Sequence, residues 1–284
     1  MMAIKRVEIQ EVAVLVDLSI STFRDLKVSR ELTDRTANLA KADSKMVSSR
    51  VRLLPVGALS AIEQADRKLR ATHETLTVPW FRGAHALLPV ASYETYLVRM
   101  DAAKRERLEH VEEFLKAYRA NIREAREMLG DAFDEGMYPS TDAIRDSFAV
   151  HIDWCSIPSG GNGSGAHAQV ADAMLEANAQ RVKVAMSASL TRLVTELRDL
   201  ITALKAKKFH ASAVENLRRV LEVAPSFNLT GDEDLAKLLD GLAKELPDAD
   251  MIRESKTVRR DAEKTATDAI KKLDEVLASM GLKS

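Results

Sequence analysis

The stretch LEHVEEFLKAYRANIREAREML (108–129) decides how the chain is read. Its apolar residues, Leu108, Val111, Leu115, Tyr118, Ile122, Ala125 and Leu129, recur every three and four positions, with Glu, Lys and Arg filling the places between. That spacing lays one apolar stripe along one side of a helix. Leu97 and Met100 carry the pattern back to a start near Ser92. A helix of that extent is roughly 55 Å long, more than a compact globule needs. The stripe must find cover on another helix, of the same chain or of a second one.

The same step recurs downstream. Leu190, Leu193, Leu197, Leu200 and Leu204 form a stripe, widened by Val194 and Ile201, inside a second helical stretch from Ala166 to Lys208. Shorter helices are predicted from Ser212 to Val223, stopped by Pro225, and from the acidic start Asp232, Glu233 and Asp234 to Leu246. A last helix is predicted from Asp248 to Met280, where Ala266, Ala269, Leu273, Val276 and Met280 repeat the spacing and Gly281 is a natural stop. The two long helices are expected to clasp as an antiparallel, coiled-coil-like pair. Leu190, Leu193, Leu197, Leu200, Leu204, Leu273 and Val276 are the candidate seam for a partner or a second copy, with Val182 and Met186 upstream of it. Spacing alone leaves open which stripes are used within the chain and which between chains.

Three short stretches read as strands. Val12, Val14, Val16, Leu18 and Ile20 alternate with Ala13, Leu15, Asp17 and Ser19, the pattern of a strand with one buried face. FAVHIDWCSIP (148–158) puts Phe148, Val150, Ile152 and Trp154 on one face, and AHALLP (84–89) is a weaker third. A small sheet of three strands suffices if a helix covers it. The expected class is α+β, predominantly α, with a small sheet in the N-terminal region. The segment from Pro158 to Gly165 holds four of the eleven glycines and reads as a linker. It divides the chain into 1–158, a linker at 159–165, and a helical region at 166–284.

Composition agrees. The 284 residues are 46% hydrophobic and only 5% aromatic, which suits long helices. Basic and acidic residues nearly balance, 42 against 43, so nucleic-acid binding would need a local patch. A single cysteine, Cys155, precludes an intramolecular disulfide. No apolar run reaches the roughly 18 to 20 residues that span a bilayer, and the N-terminus turns acidic too early for a signal peptide. The cytoplasm is the expected location.

Candidate chemistry is sparse. Gly165 is followed by Ala166, His167 and Ala168, without the lysine and hydroxyl that a phosphate-binding loop requires. His151, Asp153 and Cys155 alternate on one face of the second strand, and a thiol, an imidazole and a carboxylate are the parts of a nucleophilic or metal site. Residues at i, i+2 on one strand are also what any half-exposed edge presents, and no histidine pair has metal-ligand spacing. Asp131, Asp134 and Glu135 near Gly136 read equally well as a cation site and as a solvated helix end. Local positive runs occur at Arg50 and Arg52, at Arg67, Lys68 and Arg70, and at Lys104, Arg105 and Arg107. A further segment, Lys205, Lys207, Lys208, Arg218 and Arg219, includes Phe209 as a possible stacking ring; it is the candidate nucleic-acid contact. No catalytic, cofactor-binding or metal-binding residue is assigned, and no cofactor is expected.

VLVDLSISTFRDLKVSRELT (14–33), MYPSTDAIRDSFAVHIDWCSIP (137–158) and FHASAVENLRRVLEVAPSFNLTGDEDLAKLL (209–239) resemble a helical protein family of unknown function carried by phages, integrative elements and proteobacteria. The resemblance implies a genomic setting near genes for MoxR-type AAA+ ATPases and von Willebrand A-type proteins, and it carries no catalytic residue across. The function expected is non-enzymatic assembly, scaffolding or adaptor work through helix contacts and self-association. The alternative is a nucleic-acid-binding accessory factor in DNA recombination or processing.

Overall fold

The computed structural model describes residues 9–80, 85–157, 166–206 and 209–279, so the glycine-rich segment 158–165 and Lys207 and Lys208 lie outside the described residues. In chain order the elements are α1 (Ile9–Val12), β1 (Ala13–Ile20), β2 (Leu26–Val28), α2 (Arg30–Ala40), β3 (Arg50–Arg52), α3 (Ser60–Leu76), β4 (Val78–Pro79), β5 (Ala86–Pro89), α4 (Tyr93–Leu129), α5 (Thr141–Asp146), β6 (Val150–Cys155), α6 (Ala166–Lys205), α7 (Ser212–Val223), α8 (Glu233–Glu245), α9 (Ala249–Glu254) and α10 (Lys256–Ser279). The fold is α+β and predominantly α. Among the described residues no helix is long and apolar enough to cross a membrane.

A four-stranded sheet has the order β4-β5-β1-β6, and β1 runs antiparallel to β5 from Ala13↔Pro89 to Val16↔Ala86. All three expected strands are in it. β1 is an interior strand, and Leu15 and Val16, on opposite faces, are both buried. Its alternation therefore marks two covered faces at that end, where the sequence predicted one. A separate two-stranded sheet, β2 with β3, had no signal in the pattern: each strand is only three residues long.

The chain forms two compact units whose segments alternate along the sequence. The first comprises Met1–Asp17, Glu74–Leu97 and Asp153–Ser284, and the second Leu18–His73 and Val98–Ile152. The division expected at 159–165 followed composition; the observed one follows packing, and residues from 1 to 158 contribute to both units.

In the first unit, α6 packs its leucine stripe against α7 and α10. Facing apolar residues include Val214, Leu217 and Leu221 of α7 and Ala262, Ala266 and Leu273 of α10. Asn228 prepares the start of α8. Its side-chain amide donates to the carbonyl of Asp232 (2.7 Å) and its Oδ1 accepts from the Asp232 amide (2.9 Å), while Asp232 caps Leu235 (2.8 Å). The turn needs a positive φ of 66° at Gly231, which glycine adopts without strain. The single helix expected from Asp248 to Met280 is two, because Ser255 is extended (φ −124°, ψ 120°) and its hydroxyl accepts from the Val258 amide.

In the second unit, α4 is the spine. Val111, Phe114, Leu115 and Tyr118 pack with Phe23, Val51, Leu53, Leu54, Leu59, Ile62 and Ile144. The Tyr118 hydroxyl donates to the Pro139 carbonyl at 3.1 Å and that of Tyr138 to the Leu53 carbonyl at 2.8 Å. One position corrects the sequence reading. Leu108 is 57% exposed, and Arg107 takes the buried place in the stripe at 3%. Its Nε donates to Asp66 Oδ1 at 2.5 Å and its Nη2 to the Ser21 carbonyl at 2.8 Å, while the Thr22 hydroxyl donates to Asp66 Oδ2 at 2.7 Å. A buried guanidinium is tolerated because every side of it meets an acceptor.

Candidate interaction surfaces

The leucines proposed as a seam are not on the surface. Leu190, Leu193, Leu197, Leu200, Leu204 and Leu273 are each 4% exposed or less, and Val276 is half-buried. Met186 is buried too, with Val182 half-buried. Within the first unit α6 is covered by α7 and α10, and within the second unit α4 is covered by residues of β3, α3 and α5. For the six leucines the periodicity was a core signal, and a second chain has no access to their side chains.

The first half of α6 differs. Every described side chain from Gln169 to Glu176 is exposed, including Val170, Met174 and Leu175. Val170, Met174, Ala177, Arg181 and Val184 follow one another at intervals of four and three, which keeps them within one helix face. Counting 100° per residue, that face lies opposite the buried leucines. Val184 is 49% exposed at its end. The Arg181 guanidinium sits 5.9 Å from the Trp80 ring, and its Nη1 donates to Asn178 at 3.1 Å. The exposed stripe is built from valine, methionine and alanine, whose spacing is a weaker sequence signal than the leucine run that follows it.

The basic segment near 205–219 is largely engaged. Lys205 pairs with Glu263 at 3.2 Å, and Arg218 with Asp248 at 2.7 Å and with the Leu246 carbonyl at 3.2 Å. Arg219 donates to Asn216. Phe209 is buried under the Arg259 guanidinium, 5.5 Å from its ring, so it has no face free for a base. Of the other runs, Arg107 is the buried ion-pair partner described above, and Lys68 pairs with Glu106.

His151, Asp153 and Cys155 lie on β6, at the edge of the sheet, and all three are exposed. The Trp154 ring packs at 5.3 Å from that of Tyr93 and 5.7 Å from that of Tyr96. Among the described residues no group of three His, Cys, Asp or Glu is arranged to hold a metal ion. Asp134 caps the Gly136 amide and Glu135 pairs with Arg126, both at helix-end positions. Buried titratable groups are few. Burial pushes the Tyr118 hydroxyl up to about 12, helped by nearby Tyr138, and raises that of Tyr96 further. On α6, burial raises the Glu196 carboxyl above its ordinary range, with Asp199 adding to the effect and Arg219 and Arg192 opposing it.

No family model matches the chain, and no curated protein or solved structure is significantly similar to it.

Proposed function

We propose that the chain is a non-enzymatic assembly or adaptor component that acts through helix contacts and self-associates through the first half of α6. The uncovered run from Gln169 to Glu176 carries the reading. A short helical segment without packing is marginal in water, and apolar side chains on it are stabilised by laying them against another helix. Charge favours a second copy as the occupant. Asp172 and Glu176 precede Ala177, while Arg181 and Lys183 follow it. An antiparallel pair crossing at Ala177 brings Val170 opposite Val184 and runs the acidic half of each helix alongside the basic half of the other, with Asp172, Glu176 and Lys183 turned away from the seam itself. Ala173 and Ala177 are small enough for close approach of the two backbones. A phage or mobile-element setting, with a MoxR-type AAA+ ATPase or a von Willebrand A-type protein as further partner, belongs to the same proposal and rests on the three resembling stretches.

Light scattering on the untagged chain is expected to give twice the 31.4 kDa chain mass. Met174→Asp with Val184→Asp is expected to return it to one chain with the helical circular dichroism unchanged. A one-chain mass at every concentration removes self-association. A dimer indifferent to both substitutions removes this seam.

A further inference from the structure

We propose that the two-stranded ribbon β2–β3 of the second unit is a binding site for duplex DNA, independent of the self-association surface. The ribbon is regular beyond its assigned ends: Leu53 N–H donates to the Asp25 carbonyl (2.7 Å) and Ser29 N–H to the Ser49 carbonyl (3.0 Å). Its register pairs Leu26 with Arg52, Lys27 with Val51 and Val28 with Arg50. Directly paired residues of an antiparallel ladder point to the same side. Val51 is buried in the core, so the opposite face, carrying Leu26, Val28, Arg50 and Arg52, looks outward. All four are exposed. The segment is also where positive charge accumulates. Residues 24–52 hold eight basic against four acidic residues, while the other 255 hold 34 against 39.

That charge is not used internally. Arg52 pairs with Asp25 at 3.0 Å, but Arg24, Lys27, Arg30, Arg35, Lys41, Lys45 and Arg50 make no ion pair among the described residues. Asp43 is turned to the Lys45 amide, leaving Glu31 and Asp34 on α2 as the opposing charges. This is the reverse of Lys205 and Arg218, whose charges are met by Glu263 and Asp248. A two-stranded ribbon with flanking cations is a shape that the major groove of B-form DNA admits, at about 12 Å wide. Arg24 just before β2, Arg30 at the first position of α2 and Arg50 and Arg52 on β3 are placed to meet phosphates on the two groove walls, and Leu26 and Val28 offer apolar contact to thymine methyl groups, while Lys27 shares the Val51 side of the ribbon.

The test is fluorescence anisotropy of the full chain with a short labelled DNA duplex, the matching RNA duplex and a single strand. About four phosphate contacts give roughly a hundredfold loss of DNA affinity between about 50 and 200 mM salt. Arg24→Glu with Arg50→Glu is expected to weaken binding at least about tenfold and to shorten the salt slope by about 2. Arg24→Gln with Arg50→Gln repeats the loss without inverting the field, and unchanged thermal melting shows that the fold survives. Lys205→Gln with Arg219→Gln leaves binding as it was. The proposal is overturned if DNA is not bound at the lowest salt, if the ribbon substitutions change nothing, or if the 205–219 pair carries the loss. RNA duplex or single strand bound as tightly as DNA also overturns it, since the A-form major groove is too narrow for a ribbon.

Discussion

The helices α4 and α6 carry the same three-and-four spacing, and the molecule treats them differently. α4 is clothed on one face from Met100 to Ala125, and within that face a charged residue, Arg107, holds a core position through its ion pair with Asp66. α6 is clothed from Ala185 to Leu204, and its described side chains from Gln169 to Glu176 are bare, although apolar residues continue there. Helical spacing thus identifies faces that want cover, and cover itself depends on what else the chain brings within reach. A polar residue can complete one stripe while apolar positions leave another open.

The largest test of that contrast is in α4. Asp66→Ala strands the Arg107 charge in the core and is expected to lower stability by about 3–5 kcal/mol, read from urea unfolding. Asp66→Leu with Arg107→Met removes both charges and should recover most of the loss; no recovery would mean that the hydrogen bonds to Ser21 and Thr22 matter more than the ion pair. Next comes α6 itself. Leu197→Ala in the covered half should cost about 2–5 kcal/mol, whereas Val170→Ala in the bare half should change the stability of the single chain by less than about 0.5 kcal/mol. Equal losses at the two positions would erase the distinction between the halves.

The smallest effects are in pH dependence. Tyr118 on α4 and Glu196 on α6 both have folded-state values above their unfolded ones. Each therefore contributes stability that is complete below the unfolded value and is lost as pH rises through the folded one. For Tyr118 the loss falls between pH 10 and about 12, and Tyr118→Phe should flatten unfolding curves in that window. For Glu196 it falls as pH rises above the ordinary carboxylate range, so Glu196→Gln should be more stable than the parent at neutral pH and indistinguishable in acid. A parent that gains stability with pH in either window would reverse the assigned sign.

Much of the fold was legible. The extents of α4 and α7 match the periodic runs almost to the residue, because long amphipathic helices repeat their signal many times. The β2–β3 ribbon was not legible, since three residues make no period, and Leu26 and Val28 are exposed where a strand pattern expects burial. The break at Ser255 was hidden because the apolar residues after it resume the helical step. Of the interaction surfaces, the sequence pointed to the leucines, which proved to be core, and to Lys205 and Arg218, whose charges Glu263 and Asp248 meet, with Arg219 held by Asn216.

Local order along the chain settled which segments are helices and where they begin, through apolar period, capping residues such as Asp232 and breakers such as Pro225. Those forces act between residues a few positions apart and are written in the order of the letters. Which faces remain exposed depended on contacts between distant segments: α10 returning to α6, and Asp66 meeting Arg107 across 41 positions. Burial is a property of the assembled chain, and only its assembly decided which apolar and charged residues are left to meet another molecule.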